Sequence, residues 1–355
     1  MSGTSSNIVK IGGAILGAVL LGYASKKAAD RFFKGSKKQR YFVGIDLGAT
    51  NAKAGVVNDD GELLAVFSEP LDDYSDKGVV ASLVKVATKA VEEAGLTWSK
   101  IAEIGVGSPG TIDFDNGVVI KASNFPTWDH VPLAQMIKDQ TGVKTILDND
   151  ANAACAAECW VGAGKGKKNM VTITLGSGIG GGVVVNGQII HGGSGWAGEP
   201  GHSIYIVNGT PCGCGQKGCY EKYASANGLV LQTKKYLEDH PSETSSLRDI
   251  PEVTAKTIMD AAKAGDVVAD HCVNIAAEAL GVCCVNLCRV LDPELIVFSG
   301  GLALAGDFLL EKIKKQFSHY HWTIQEPSCE LVISEASDKV GVVGAAAVAR
   351  MDTMK

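Results

Sequence analysis

The apolar positions change pattern at Tyr41 and then repeat. The run YFVGIDLG is β-branched and apolar and ends in glycine, which predicts a strand entering a tight turn. AKAGVVND and ELLAVFSEP predict two more strands, joined by the hairpin signal Asp59-Asp60-Gly61. A helical stretch follows from about Gly78 to Ala94, then the strand IAEIGVGSPG. The same order returns in the second half. MVTITLGSG, GGVVVNG and QIIHGG predict three strands, the last two meeting at Asn186-Gly187, and a long helix from about Val267 to Leu291 precedes the strand ELIVFSGGLA. A duplicated strand–glycine–hairpin followed by helix–strand–glycine predicts two similar α/β lobes facing a cleft.

Ahead of Tyr41 the pattern is different. Ile11 to Tyr23 reads IGGAILGAVLLGY, and with Ile8 and Val9 it reaches about the lower limit for a spanning helix, roughly 17 residues. The basic stretch SKKAADRFFKGSKKQR follows at once, without the small-residue cleavage region of a signal peptide. The expectation is a membrane anchor through residues 8–23; a cleaved targeting peptide or a buried helix are the alternatives. The positive-inside rule then keeps Lys26 to Arg40 and the folded body on the cytosolic side. A short anchor with a basic carboxyl flank resembles signal anchors of the mitochondrial or plastid outer membrane; without an anchor the chain is cytoplasmic.

Charge sharpens this division. Residues 1–40 carry eight Lys/Arg against Asp30, so the net charge of −6 leaves the body near −13. An acidic body excludes nucleic acid as the main partner, because phosphate backbones need a basic surface. The 355 residues suffice for two medium domains. The expected division is 1–40 for the anchor and its flank, 41–148 for the first lobe and 149–340 for the second, with a helix at 341–355 packing back on the first.

Glycine turns end matching strands in both halves. Asp46-Leu47-Gly48-Ala49-Thr50-Asn51 ends the first strand, and Leu175-Gly176-Ser177-Gly178-Ile179-Gly180-Gly181 ends its counterpart. A third turn, Ser299-Gly300-Gly301, follows ELIVF. Glycines let backbone amides converge on an anion. Thr50 and Asn51 add side-chain donors, and Asp46 could hold Mg²⁺ directly or through water. Each turn alone is most simply a tight turn; three in matching positions point to phosphate. The chain has no G-x-x-x-x-G-K-[ST], which excludes a P-loop enzyme.

Nine of the ten cysteines fall into two groups. Cys155, Cys159, Cys272, Cys283, Cys284 and Cys288 fall in apolar stretches that read as buried helix faces. Cys212, Cys214 and Cys219 crowd one glycine-rich loop after His202, in the pattern H-x9-C-x-C-x4-C. One imidazole and three thiolates make a closed tetrahedral zinc site, and with four protein ligands the metal is structural. It would pin the loop at 199–221 that carries Glu199, His202 and Glu221. Reduced free thiols are the simpler alternative. Either way the placement indicates a reducing compartment.

Together these residues resemble the ROK family of sugar kinases and repressors. The resemblance runs from Tyr41 to the carboxyl end. It rests on D-x-G-x-T at Asp46–Thr50, GSPG at Gly107–Gly110, SNFPTW at Ser123–Trp128, NDAN at Asn149–Asn152, TLGSGIGGG, and E-P-G-H at Glu199–His202 leading into C-G-C-G-x-x-G-C-x-E at Cys212–Glu221. Pro200 departs from many members and removes neither neighbour. The resemblance implies a two-lobed actin/hexokinase/Hsp70-like, ribonuclease H-like fold with a zinc loop. It implies ATP with Mg²⁺ against both glycine loops and the Gly300–Gly301 turn, and a hexose in the cleft. It makes Asp150 the catalytic base, and gives Asn124, Asn149, Glu199, His202 and Glu221 to the sugar hydroxyls, with Gly107 to Gly110 on the sugar side. Asp150 could also be simply a helix-capping residue. The family also implies a homodimer. Glucose is the favoured hexose; N-acetylmannosamine, N-acetylglucosamine and fructose are alternatives. A sugar-responsive repressor is disfavoured, because residues 1–40 are too short for a helix-turn-helix domain.

Overall fold

The computed structural model describes residues 39–322, 324–325, 328–335 and 340–354. The expected anchor at 8–23 and its basic flank to Lys38 lie outside the described residues. The folded unit begins at Tyr41.

Two five-stranded sheets have the same topology. The first contains β1 (Tyr41–Leu47), β2 (Asn51–Asn58), β3 (Leu63–Pro70), β4 (Ile101–Ser108) and β7 (Thr145–Asn149), in the order β3-β2-β1-β4-β7. The second contains β8 (Met170–Leu175), β9 (Ile179–Val185), β10 (Gln188–Ile189), β11 (Leu295–Ser299) and β12 (Glu330–Ile333), in the order β10-β9-β8-β11-β12. In each, the first three strands form antiparallel hairpins and the last two join in parallel. The duplication expected from the apolar pattern is therefore present strand for strand. A separate hairpin, β5 (Thr111–Asp113) with β6 (Val118–Lys121), extends from the first sheet after β4.

Helices cover both faces of each sheet. Helix α1 (Asp76–Glu93) starts at Ser75, whose side chain accepts from Gly78 N–H, and buries Val79, Val80, Leu83 and Val86 against β2 and β3. The opposite face of the first sheet carries the last helix. Gly105 on β4 makes this possible: a Cβ there would lie under 3.0 Å from the backbone of Ala345, so only glycine lets that helix rest directly on the strand. After α2 (Leu133–Thr141) comes α3 (Asp150–Trp160), which packs on β8, on β9 and on the last helix, so it joins the two lobes.

In the second lobe, α4 (Glu221–Ala224), α5 (Ala226–Asp239) and α6 (Ala255–Lys263) lead to α7 (Val267–Leu291). Helix α7 is long and apolar enough to cross a membrane, yet half of its apolar window is buried inside the protein. Val273, Leu280 and Cys284 pack in one core with Ile296, Phe298 and Leu309, which explains the apolar run without a membrane. Helix α8 (Asp307–Tyr320) follows, and α9 (Val340–Asp352) is the helix on Gly105. The ten cysteines are free; of the six expected on buried helix faces, Cys155, Cys272, Cys283 and Cys284 are buried, while Cys159 and Cys288, nearer the ends of their helices, are half-buried.

Candidate functional site

Strand β7 and helix α3 meet at the cleft between the sheets. Asn149 caps α3, its side chain accepting from Ala151 N–H at 2.9 Å, and Asp150 is the first helical residue. Asp150 Oδ1 accepts from the same N–H at 2.8 Å. The two residues thus divide the roles that the sequence left open: Asn149 is the cap and Asp150 presents a carboxylate to the cleft. The carboxylate reaches solvent, but the walls desolvate it enough to push its pKa up, against the pull of the N–H groups of Ala151 and of Asp150 itself.

A cavity of about 420 Å³ opens over Asp150. Asn149, Glu199 and Glu221 line one part of it, and Gly176, Gly178 and Gly300 line another. Both glycine turns of the second half therefore face the carboxylate proposed to do chemistry. Burial also raises the pKa of Glu199; Asp150 and Glu221 add to this, while His202 opposes it. At the end of β1, burial raises the pKa of Asp46, with Lys53 opposing and the charge of Asp150 adding. Four carboxylates thus crowd one cleft, as expected where positive charge or hydroxyl donors are to be bound.

The first glycine turn is tight. Gly48 N–H donates to Asn51 O at 3.0 Å, and Asn51 Nδ2 donates to an exposed Thr50 Oγ1 at 2.9 Å. At the end of β4, a Cβ at Gly107 would stand 3.9 Å from the Cα of Asp150, so the GSPG turn begins beneath the helix start. Gly110 and Asn124 lie elsewhere. Gly110 packs against Lys121 and Ala122 of the β5–β6 hairpin, Asn124 is exposed in the turn closed by the Phe125 N–H to Ala122 O bond, and neither lines the cavity over Asp150.

His202 ends a short helical turn, Pro200–His202, and reaches the cysteine loop. Its Nδ1 is 3.8 Å from Cys212 Sγ, Cys214 Sγ is 3.6 Å from Cys219 Sγ, and the ligand atoms of all four residues lie within 4.8 Å of one another. Tetrahedral zinc with bonds of about 2.0–2.3 Å holds its ligands about 3.3–3.8 Å apart, so the donor set fits the metal. Glu221 closes the gap between this loop and the glycine turn. Its Oε2 accepts from Ile179 N–H at 3.1 Å and its Oε1 is 3.8 Å from Cys212 Sγ. Ala226 N–H donates to Gly176 O at 2.9 Å beside it.

A second cavity, of about 500 Å³, shares Gly176 with the first and also borders Ser177 and Gly301. Ala226, Met259 and Leu302 give it apolar walls suited to a flat ring. Sequence reasoning missed this slot. Its glycine edges belong to turns already read as phosphate loops, but its apolar walls at Ala226, Ala255–Lys263 and Leu302 come from separated segments that carry no local motif.

These positions match a known family along nearly the whole described chain. The model of the ROK family matches residues 42–352. The chain belongs to the ROK family. A glucokinase of Halalkalibacterium halodurans is 37% identical over 310 residues, covering 86% of this chain and 93% of that protein. The crystal structure of a ROK hexokinase from Thermus thermophilus matches with a TM-score of 0.77 and 31% identity, covering 88% of this chain and 99% of the other. A ROK family glucokinase from Streptomyces griseus, in complex with glucose and AMPPNP, matches with a TM-score of 0.70 and 31% identity, covering 87% and 99%. The ROK fold is the two-lobed actin/hexokinase-like architecture described above.

Proposed function

We propose that this ROK protein is an ATP-dependent hexose kinase that phosphorylates glucose at its 6-hydroxyl. One observation carries the reading: Asp150 faces both glycine turns of the second half and the carboxylates Glu199 and Glu221 in a single cavity. The glucokinase relatives, and the glucose and AMPPNP in the Streptomyces griseus complex, support the choice of substrates.

Phosphoryl transfer needs positioning and charge neutralisation more than covalent chemistry. Asp150 accepts the proton of the 6-hydroxyl as that oxygen attacks the γ-phosphate. Asn149, Glu199, His202 and Glu221 hold the remaining hydroxyls, with Asn124 and Gly110 approaching from the first lobe. The amides of Gly48, Gly176, Ser177, Gly178, Gly300 and Gly301, with Thr50 and Asn51, neutralise the phosphates, and the base seats in the slot beside Met259. Asp46 would hold the Mg²⁺ that accompanies ATP. His202, Cys212, Cys214 and Cys219 would hold a zinc ion that keeps the sugar-binding loop in shape and takes no part in the chemistry. The two lobes, 41–148 with the last helix and 149–340, close on the substrates. Residues 8–23 tether the enzyme to a membrane facing the cytosol, and two copies pair.

A coupled spectrophotometric panel tests the reading. Glucose, fructose, N-acetylmannosamine and N-acetylglucosamine are offered with ATP, then with ADP and polyphosphate as donors. Glucose with ATP is expected to give the highest kcat/KM. A higher value for an N-acetylated sugar overturns the glucose assignment, and no turnover with any hexose overturns the kinase reading. A fusion of residues 1–40 to a fluorescent protein that stays diffuse in the cytosol overturns the tether.

A further inference from the structure

Asp148, two residues before the proposed base, is a carboxylate with 2% exposure. A buried carboxylate is costly unless donors satisfy it. Three do so here. Asn149 N–H donates to Oδ1 at 2.8 Å and Asn152 Nδ2 donates to Oδ1 at 2.9 Å, both from the same β7–α3 corner. The third comes from outside that corner: His191 Nε2 lies 2.9 Å from Oδ2. An ionised carboxylate only accepts, so Nε2 carries the proton of this bond. The imidazole is also held from its side. It stacks on Phe114, just beyond β5, with centroids 4.0 Å apart and planes 29° apart.

His191 follows β10 and opens the segment that ends in Glu199. Gly192, Gly195 and Gly198 in that segment have φ of 77°, 78° and 87°, so its backbone is free to take many paths once released. It is closed on itself by one bond, from Ala197 N–H to His191 O at 3.1 Å. Fixing His191 therefore fixes Ala197, and Glu199 is two residues on. Fixing Asp148 likewise fixes Asp150 two residues on. With Gly198 and Pro200 packed on Gly181 of β9, the bond between Asp148 and His191 adds the constraint from the β7–α3 side to the spacing between the proposed sugar ligand Glu199 and the proposed base.

We propose that His191 and Asp148 are positioning residues, which dock the 191–199 loop against the β7–α3 corner where the two lobes join and hold Glu199 in register with Asp150. The proposal rests on the kinase reading for its effect on the sugar. Small misplacement of a positioning contact can cost up to about 10²-fold in rate, and here it falls on the sugar side alone.

The test uses the full chain. His191→Phe keeps the stack on Phe114 but leaves Asp148 Oδ2 without its donor. The expected result is a sugar KM raised about tenfold or more with the ATP KM within about twofold. His191→Gln, which restores an N–H donor, is expected to recover most of the loss. Trp196 lies inside the loop and is 66% exposed, so its fluorescence anisotropy, taken as the difference from a Trp196→Phe background, reads loop mobility without catalysis. It is expected to fall in His191→Phe. If His191→Phe does not fold, Asp148→Asn replaces it, with a smaller shift of sugar KM in the same direction. An unchanged sugar KM, or equal shifts in sugar and ATP KM, overturns the proposal whatever the anisotropy does. If the unaltered protein phosphorylates no hexose, the kinase reading fails separately, and unchanged Trp196 anisotropy then overturns the docking role on its own.

Discussion

Replacing Asp150 by asparagine separates chemistry from folding. The amide has the same shape, and its oxygen can still accept from Ala151 N–H, the one hydrogen bond Asp150 makes through its side chain to a neighbouring residue. Asn149 remains to cap α3. No packing is lost, so the variant is expected to fold. Turnover is expected to fall at least about 10²-fold, the scale of general-base loss, or about 2.7 kcal/mol of barrier. The stability change has a definite sign. Burial raises the pKa of Asp150, so the folded state keeps this proton to higher pH than the unfolded chain does. Its contribution to stability is therefore largest below the ordinary aspartate value of about 3.9 and declines as pH rises through the raised one. Asparagine escapes that decline. At pH 7 the variant is expected to melt at or above the wild-type Tm, and the difference should vanish near pH 3.5 or below, where both states of the wild type are protonated. Removing the charge should also lower the pKa of Asp46 and of Glu199, which it now raises. Steady-state kinetics and calorimetry at several pH values measure all of this. Turnover above about a third of wild type would refute Asp150 as the base, and a Tm several degrees lower at pH 7 would refute the account of its surroundings.

Three further outcomes follow from other parts of the molecule. Wild-type protein should carry one zinc per chain by elemental analysis; Cys214→Ser should lose most of it, with a lower Tm and weaker sugar binding, and an unaltered protein free of zinc after purification without chelators would sink the metal assignment. Gly178→Ala puts a methyl under 3.0 Å from the Glu221 carboxylate, which must then give up Ile179 N–H, so the KM values for ATP and sugar should both rise about tenfold; unchanged KM values would show that this contact is idle. Gly105→Ala drives a methyl into the backbone of α9 and should cost about 3 kcal/mol, seen as a lower denaturant midpoint with kcat little changed in the protein that remains folded.

The first strand of each lobe was readable because each is an apolar run with β-branched residues that leads into a glycine turn, as in Tyr41–Leu47 and Met170–Leu175. The boundaries of α7 were readable too, since Asp266 caps its start and Asp292 ends it in a left-handed turn. The β5–β6 hairpin, β7 and β12 were not foreseen: they span three to five residues each, too short for a periodic signal. The cluster of His202 with Cys212, Cys214 and Cys219 was visible because three of its four residues sit within eight residues. The bond between Asp148 and His191 was not, because 43 residues separate partners whose neighbours carry no shared motif. The apolar slot at Ala226, Met259 and Leu302 was hidden for the same reason: only folding gathers its walls.

The resting place of α9 has a consequence for biosynthesis. Strand β1 leaves the ribosome roughly 300 residues before the helix that covers it. At about 5–20 residues per second, one apolar face of the first sheet waits roughly 15–60 s for its lid. Throughout that interval the nascent lobe is a client for chaperones. Losing only the last dozen or so residues would leave it one permanently, however well the rest of the polypeptide had been made.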